Sequence, residues 1–209
     1  MRKEISVGDT RYLLLGWSEI DALIDGLATK IEAIPRKPDL VVGIFRGGMM
    51  VAHLLSDRLC MHELRGIGAR IYQRTGKIGE NLEIYQPLPL NDLRGYDVLV
   101  AEDVVDTGTT YDGILKSQIY PKNPRSLCTT SLHIKPWTKF RPDIYMEETF
   151  CWIWYPWETY ENGVGVYTDL SKKHGSETAM KMMVEELGLE PRVVERITRL
   201  AEARPGRTG

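Results

Sequence analysis

Between Val98 and Thr110 the chain concentrates groups suited to a phosphorylated sugar. Glu102 and Asp103 stand at the end of the apolar run Val98–Ala101, and Asp106-Thr107-Gly108-Thr109-Thr110 follows closely. The hydroxyls of Thr107, Thr109 and Thr110, the Gly108 backbone and the amides of a helix opening there can hold one phosphate without a lysine. The two adjacent carboxylates would repel a bare phosphate but suit ribose hydroxyls, or Mg²⁺ through water. A phosphate beside a diol points to a sugar phosphate. A second turn, Arg46-Gly47-Gly48, follows the apolar run Leu40–Phe45. Its glycines are expected to admit close backbone approach and positive φ, with Arg46 either meeting an anion or forming a surface ion pair. Further on, Leu132-His133-Ile134-Lys135-Pro136 ends a strand-like run in a lysine, and Trp152-Ile153-Trp154-Tyr155-Pro156-Trp157-Glu158 comes after it. An aromatic face stacks on a planar base, and a lysine donates to a carbonyl oxygen, so this pair suits a 6-oxopurine.

These groups need elements to position them. Leu40–Phe45 and Val98–Ala101 are apolar throughout, as strands covered on both faces of a parallel sheet are, and each is followed by a small-residue turn and an amphipathic stretch. The expected fold is therefore a single α/β domain, a mostly parallel sheet flanked by helices, with ligands at the carboxyl ends of the strands. Short strands are expected at Ile5–Val7 and Tyr12–Leu15, and a helix capped by Ser18, with Asp21 three residues on, carries Ile20, Leu23, Ile24, Leu27 and Ile31 on one face. Further strands are expected at Leu127–Ile134, Ile144–Met146 and Phe150–Tyr155. Arg65–Leu88 mixes glycines and charges with a strand-like Ala69–Tyr72 and reads as a mobile excursion. Beyond Tyr167 the pattern turns helical, broken at Gly188 and Pro191, and Ala203–Gly209 reads as a frayed tail. The expected division is 1–167 for the main domain and 168–209 for a helical extension of it.

Composition narrows the class. The 209 residues are 43% hydrophobic and 27% charged, proportions of a globular chain. With 27 basic and 29 acidic residues the formal charge is −2, which gives no overall pull toward nucleic acid or anionic lipid. No apolar run approaches the ~20 residues of a membrane span. Met1-Arg2-Lys3-Glu4 reaches Gly8-Asp9 before any signal-like apolar segment, and the three cysteines, Cys60, Cys128 and Cys151, lack metal-like spacing. Buried thiols in a reducing cytoplasm are expected.

Val-Leu-Val-Ala-Glu-Asp-Val-Val-Asp-Thr-Gly-Thr-Thr, residues 98–110, resembles the signature of type I phosphoribosyltransferases, which bind 5-phosphoribosyl 1-diphosphate (PRPP). Two positions depart from it: the family commonly has two aspartates where Glu102 and Asp103 stand, and often a second glycine at the position of Thr109. Arg46-Gly47-Gly48 resembles the family's diphosphate-binding loop, and Arg65–Leu88 lies where such enzymes carry a hood over the reacting centre, without distinguishing Tyr72, Arg74 or Lys77 as a contact. The Lys-Pro and aromatic segments resemble the purine branch, particularly bacterial xanthine-guanine and archaeal or fungal hypoxanthine enzymes. That resemblance implies transfer of the phosphoribosyl group to a 6-oxopurine in purine salvage. Lys135 would hold the 6-oxygen, Trp152 would stack on the ring, Ile153 would offer its carbonyl, and Glu158 would lie near the 2-position. It further implies Asp106 as general acid/base, Mg²⁺ held with Glu102 and Asp103, and a homodimer. Core packing for Trp152, an exposed strand-end charge for Lys135 and a surface position for Glu158 stay open, while Trp154 and Trp157 are expected in the core and His133 as a structural residue. A PRPP-sensing regulator that binds RNA or DNA, and transfer to adenine or a pyrimidine, are alternatives. Interleaved charges over Asp169–Gly209 speak against nucleic acid, and a lysine suits an exocyclic amine poorly.

Overall fold

The computed structural model describes residues 2–73 and 80–203. In chain order the strands are β1 (Lys3–Val7), β2 (Thr10–Leu14), β3 (Leu40–Phe45), β4 (Leu64–Gln73), β5 (Glu80–Gln86), β6 (Asp97–Val105), β7 (Ser126–Ile134), β8 (Ile144–Glu148) and β9 (Trp152–Trp154). The helices are α1 (Trp17–Glu32), α2 (Gly47–Arg58), α3 (Thr109–Ile114), α4 (Thr159–His174), α5 (Ser176–Glu185) and α6 (Pro191–Ala203). The chain forms two compact units, one from Asp21–Phe150 and one from Met1–Ile20 with Cys151–Gly209. The expected boundary at 167/168 falls inside α4.

In the Asp21–Phe150 unit a six-stranded sheet runs β5-β4-β3-β6-β7-β8, with every pair parallel except β4–β5. This is the mostly parallel α/β architecture the apolar runs predict. Leu40, Val42 and Ile44 of β3 and Val98 and Val100 of β6 pack with Ile114, Leu115 and Ile119 into one core, with almost no exposure. On the other face Gly43 has no side chain, and a methyl there would come within 2.9 Å of Met49 and Ala52, so α2 seats against bare backbone. The segment read as an excursion is instead the β4–β5 hairpin on the sheet edge, with Ala69 opposite Ile84 and a register shift at Gly68/Ala69. Its glycines and charges mask the alternation that marks a strand. Arg74 and Lys77 lie outside the described residues, as does most of the expected frayed tail.

The second unit has its own sheet and core. β1 and β2 form a hairpin across Gly8 (φ 59°), and β2 pairs in parallel with β9, Leu13 opposite Ile153. Trp154, Val166, Leu170, Met183, Val194 and Ile197 join β9 to α4, α5 and α6. α4 starts at Thr159, ahead of the expected helical region; its first turns are unmarked in the sequence because Gly163 and Gly165 interrupt the apolar face. Gly163 is a packing residue: a methyl there would press on the Ile197 side chain, so α6 lies close. At the start of α1 the Ser18–Asp21 capping box is replaced by Glu19, whose Oε2 accepts from the Gly16 N–H at 3.1 Å. Among the cysteines, Cys151 is buried and Cys128 half-buried, but Cys60 is exposed. It follows the end of α2 with φ 52°, a left-handed turn that carries its side chain out to solvent.

The amino ends of the central strands are tied by one polar cluster. Buried Asp97 accepts from Ser126 Oγ at 2.6 Å and from Arg125, whose guanidinium also reaches Asp39 at 3.0 Å. The Asp97 N–H in turn donates to Asp39 Oδ1 at 2.8 Å. The Arg125 bond holds the Asp97 carboxyl well below the usual aspartate range. A carboxyl lowered by folding stabilises above its ordinary pKa and loses that contribution as pH falls through the shifted value. Asp97→Ala is therefore expected to lower the melting temperature at neutral pH, with the gap from the native chain narrowing below about pH 4, the ordinary range for aspartate. Melting curves at a series of pH values check this, and a pH-independent gap would reject it.

Candidate active site

The site is built where β3, β6 and β7 lie side by side and release their chains at the same edge. Gly43 of β3 pairs with Ala101 of β6, and Val105 of β6 pairs with Ile134 of β7. The turns after β3 and β6 are consequently neighbours. α2 opens directly on Gly47 and Gly48, both buried. A methyl on Gly47 would overlap the Asp103 carboxylate; one on Gly48 would lie 2.6 Å from the Ala101 carbonyl oxygen and 2.7 Å from Glu102 Oε1. The glycines are needed for this approach and not for positive φ, as the sequence reading expects: neither is among the positive-φ glycines of the described residues. Arg46, exposed, precedes them through a cis peptide with Phe45.

Glu102 and Asp103 turn into this contact. Asp103 is 7% exposed, and its Oδ1 accepts from the Val104 N–H at 2.8 Å. Glu102 Oε1 accepts from the Asp103 N–H at 3.2 Å. Burial first, and then the Asp103 carboxylate, push the Glu102 carboxyl well above its usual range. Hard carboxylate oxygens fit Mg²⁺, but among the described residues no group of three or more His, Cys, Asp or Glu could hold a metal ion. A cation here would need further oxygens from a ligand.

The turn after β6 is held from several sides. Gly108 has φ 87°, and a Cβ there would strike Phe140, so glycine is required on two counts. Thr107 Oγ1 and Thr109 Oγ1 are 3.0 Å apart, and the Thr109 N–H donates to Thr107 Oγ1 at 3.3 Å, groups a phosphate would have to re-engage. Thr110 is half-buried in the first turn of α3. Behind them the Tyr111 hydroxyl donates to the Val100 carbonyl at 2.6 Å and accepts from the Thr130 N–H at 3.0 Å, while its ring stacks on Phe140 at 4.7 Å. The segment after β7 folds over the turn: the Lys135 N–H donates to the Val105 carbonyl at 2.9 Å, and the Lys139 N–H to the Thr107 carbonyl at 3.1 Å. Exposed Asp106 then receives the Trp137 indole N–H on Oδ1 at 2.6 Å. Lys135 is 6% exposed, with Nζ 5.8 Å from the centre of the Trp137 ring, so it is no exposed strand-end charge. His133 is fully buried in β7, with Nε2 3.4 Å from Glu147, a structural position as expected.

Arg46, Gly47, Gly48, Asp106–Thr110 and Lys135 thus lie on the loops or helix starts of this one edge, and Glu102 and Asp103 lie near the end of β6 beside them. Trp152, Ile153 and Glu158 belong to the other unit. There Trp152 is 55% exposed and donates its indole N–H to Asn162 at 3.0 Å, which removes the core-packing alternative. Ile153 is buried in β9, Trp154 is buried as expected, and half-buried Trp157 stacks on Tyr155 at 4.7 Å. Glu158 is half-buried and ends the 3₁₀ turn Pro156–Glu158. Sequence reading missed Trp137, Tyr111 and Phe140. The available signal for Trp137 was an aromatic residue directly after Lys135-Pro136.

Residues 16–169 match the model of the phosphoribosyl transferase domain. The chain belongs to the phosphoribosyl transferase family. The human phosphoribosyltransferase domain-containing protein 1 is 31% identical over 150 residues, 65% of this chain and 66% of that protein. Hypoxanthine phosphoribosyltransferase of Escherichia coli is 31% identical over 98 residues, 46% of this chain and 54% of the enzyme. The chain thus spans between about half and two thirds of these curated relatives. A solved structure, purine phosphoribosyltransferase from Pyrococcus horikoshii, superposes with a TM-score of 0.63 at 33% identity, covering 70% of this chain and 93% of that one. The phosphoribosyl transferase match runs through both units and stops within α4, leaving α5 and α6 outside it.

The contact between Gly47 and Asp103 gives a direct test of how this family motif is built. Asp103 is short, buried and hydrogen-bonded, so it cannot yield easily. Gly47→Ala is expected to cost ~1–3 kcal/mol, as overpacking does. Adding Asp103→Ala should return part of that loss, a coupling that urea unfolding of the two single variants and the double variant measures.

Proposed function

We propose that this chain transfers the 5-phosphoribosyl group of PRPP to a 6-oxopurine (hypoxanthine, guanine or xanthine), releasing a nucleoside 5′-monophosphate and diphosphate. The observation that carries the reading is the convergence of three loops, after β3, β6 and β7, which brings paired carboxylates, a small-residue anion turn and a buried lysine to one sheet edge. The purine names borne by relatives at 31% and 33% identity support it.

On this reading the turn Asp106–Thr110 receives the 5-phosphate through its amides and hydroxyls. Arg46 and the start of α2 at Gly47 and Gly48 face the diphosphate. Glu102 and Asp103 hold the ribose hydroxyls, and Mg²⁺ when bound would neutralise charge on the departing diphosphate. The base nitrogen attacks the anomeric carbon as the bond to diphosphate breaks, and Asp106 takes or returns a proton at N7 as general acid/base. Lys135 donates to the 6-oxygen. Trp152 supplies a stacking face, with the Ile153 carbonyl and Glu158 assigned to the base edge. A cytoplasmic setting in purine salvage and a homodimer belong to the same proposal.

A product assay with PRPP, Mg²⁺ and each of hypoxanthine, guanine, xanthine, adenine, uracil and orotate tests the reaction. Turnover of a 6-oxopurine with diphosphate release is expected. Turnover of adenine or a pyrimidine alone moves the base assignment, and PRPP binding by calorimetry without turnover of any base moves the function to sensing. Asp106→Asn is expected to lower kcat by ~10²-fold or more with PRPP affinity kept, as loss of a general acid/base does. Lys135→Ala should weaken the 6-oxopurine more than PRPP, since a carbonyl left unpaired costs ~1–3 kcal/mol. Equal weakening of both ligands would remove Lys135 from base recognition.

A further inference from the structure

We propose that Trp137 is a positioning residue for the reaction: it fixes the Asp106 carboxylate so that one oxygen is held by the indole N–H and the other is left to exchange a proton with the base. This rests on the reading of Asp106 given above.

Asp106 is exposed at the outer end of a turn, where a short carboxylate swings freely unless something grips it. The indole N–H of Trp137 reaches Oδ1 at 2.6 Å, and among the described residues no other hydrogen bond to this side chain is found. Trp137 is itself half exposed, yet it is not loosely placed. Pro136 precedes it, the Lys135 N–H is anchored on the Val105 carbonyl, and the Thr138 N–H donates to the Lys135 carbonyl at 3.0 Å. Its ring lies 6.1 Å from that of Phe150, at 52°. The ring also lies beside the Lys135 ammonium, so one rigid side chain touches the group assigned to the 6-oxygen and bonds the group assigned to N7. The 6-oxygen and N7 face the same edge of a 6-oxopurine, on either side of C5. An indole N–H donates and never accepts, so it holds the proton-accepting form of Asp106 without competing for the proton.

The test is a double-mutant cycle on kcat with a saturating 6-oxopurine, PRPP and Mg²⁺. Trp137→Phe keeps a ring beside Lys135 and Phe150 but deletes the donor. It is expected to lower kcat about tenfold, the scale of a lost hydrogen bond to a charged group, with KM for PRPP and the melting temperature unchanged. In an Asp106→Asn background the same substitution should change kcat less than twofold, because the group it positions is already gone. Trp137→Met, which lacks both ring and donor, should lose no more kcat than Trp137→Phe. A tenfold loss in both backgrounds, or native kcat in Trp137→Phe with loss only in Trp137→Met, overturns the proposal while leaving the catalytic reading of Asp106 intact. Native kcat in Asp106→Asn overturns both.

Discussion

The site depends first on a steric fit between the start of α2 and the end of β6: Gly47 lies where any side chain would collide with the Asp103 carboxylate, and Gly48 where one would meet the Ala101 carbonyl and Glu102. This fit is possible because β3 and β6 pair directly and in parallel, with Gly43 opposite Ala101. A one-residue slip would exchange the faces of every side chain in β6 and turn Asp103 away from the glycine. Register, glycine pair and carboxylate orientation are one constraint. It sets the distance between the turn after β3 and the turn after β6, and the Val105–Ile134 pairing adds the turn after β7 to the same edge. At the opposite edge the Asp39–Asp97–Arg125 cluster ties the strand starts. The sheet is pinned at the end opposite the candidate site, which leaves the other end to be built from loops.

Some of this was legible in the chain. β3 was placed residue for residue, because a wholly apolar run bounded by proline and glycine leaves few alternatives. The acidic pair and the Asp106–Thr110 turn stand out by residue type alone, since the phosphate and diol proposed as ligands demand particular groups in a particular order. The role of Gly47 and Gly48 was not: the sequence distinguishes a glycine from other residues, but whether it serves a positive φ or a collision with Asp103 depends on a strand pairing more than fifty residues away. The β4–β5 hairpin was obscured by Gly66 and Gly68, which make room for Phe45 and Tyr85 rings and dilute the strand pattern. The start of α4 was hidden by Gly163 for a similar reason. The return of residues 151 onward to the first twenty, joining β9 to β2, is a long-range pairing with no local mark at all.

The electrostatics of the carboxylate pair bear on the ligand proposed for this edge. Glu102 and Asp103 are adjacent, largely withdrawn from water and of like charge, and in the free protein the strain appears as a Glu102 carboxyl that holds its proton far more tightly than usual. Such a group costs stability as pH rises from the ordinary carboxylate range toward its shifted value, because ionising it in place is unfavourable. A ligand can remove that cost in two ways, by donating hydroxyl protons to the carboxylates or by bringing a divalent cation. A simple phosphate does neither and adds repulsion. A ribose with free hydroxyls does the first, and a diphosphate carrying Mg²⁺ does the second. Both features belong to one molecule in the proposed substrate, whose remaining phosphate needs the uncharged amides and hydroxyls of Thr107–Thr110 and not another cation. The two departures from the family pattern are compatible with this. Glutamate at 102 reaches farther than aspartate and still returns to accept the Asp103 amide, and threonine at 109 exchanges backbone freedom for one more hydroxyl at the anion turn.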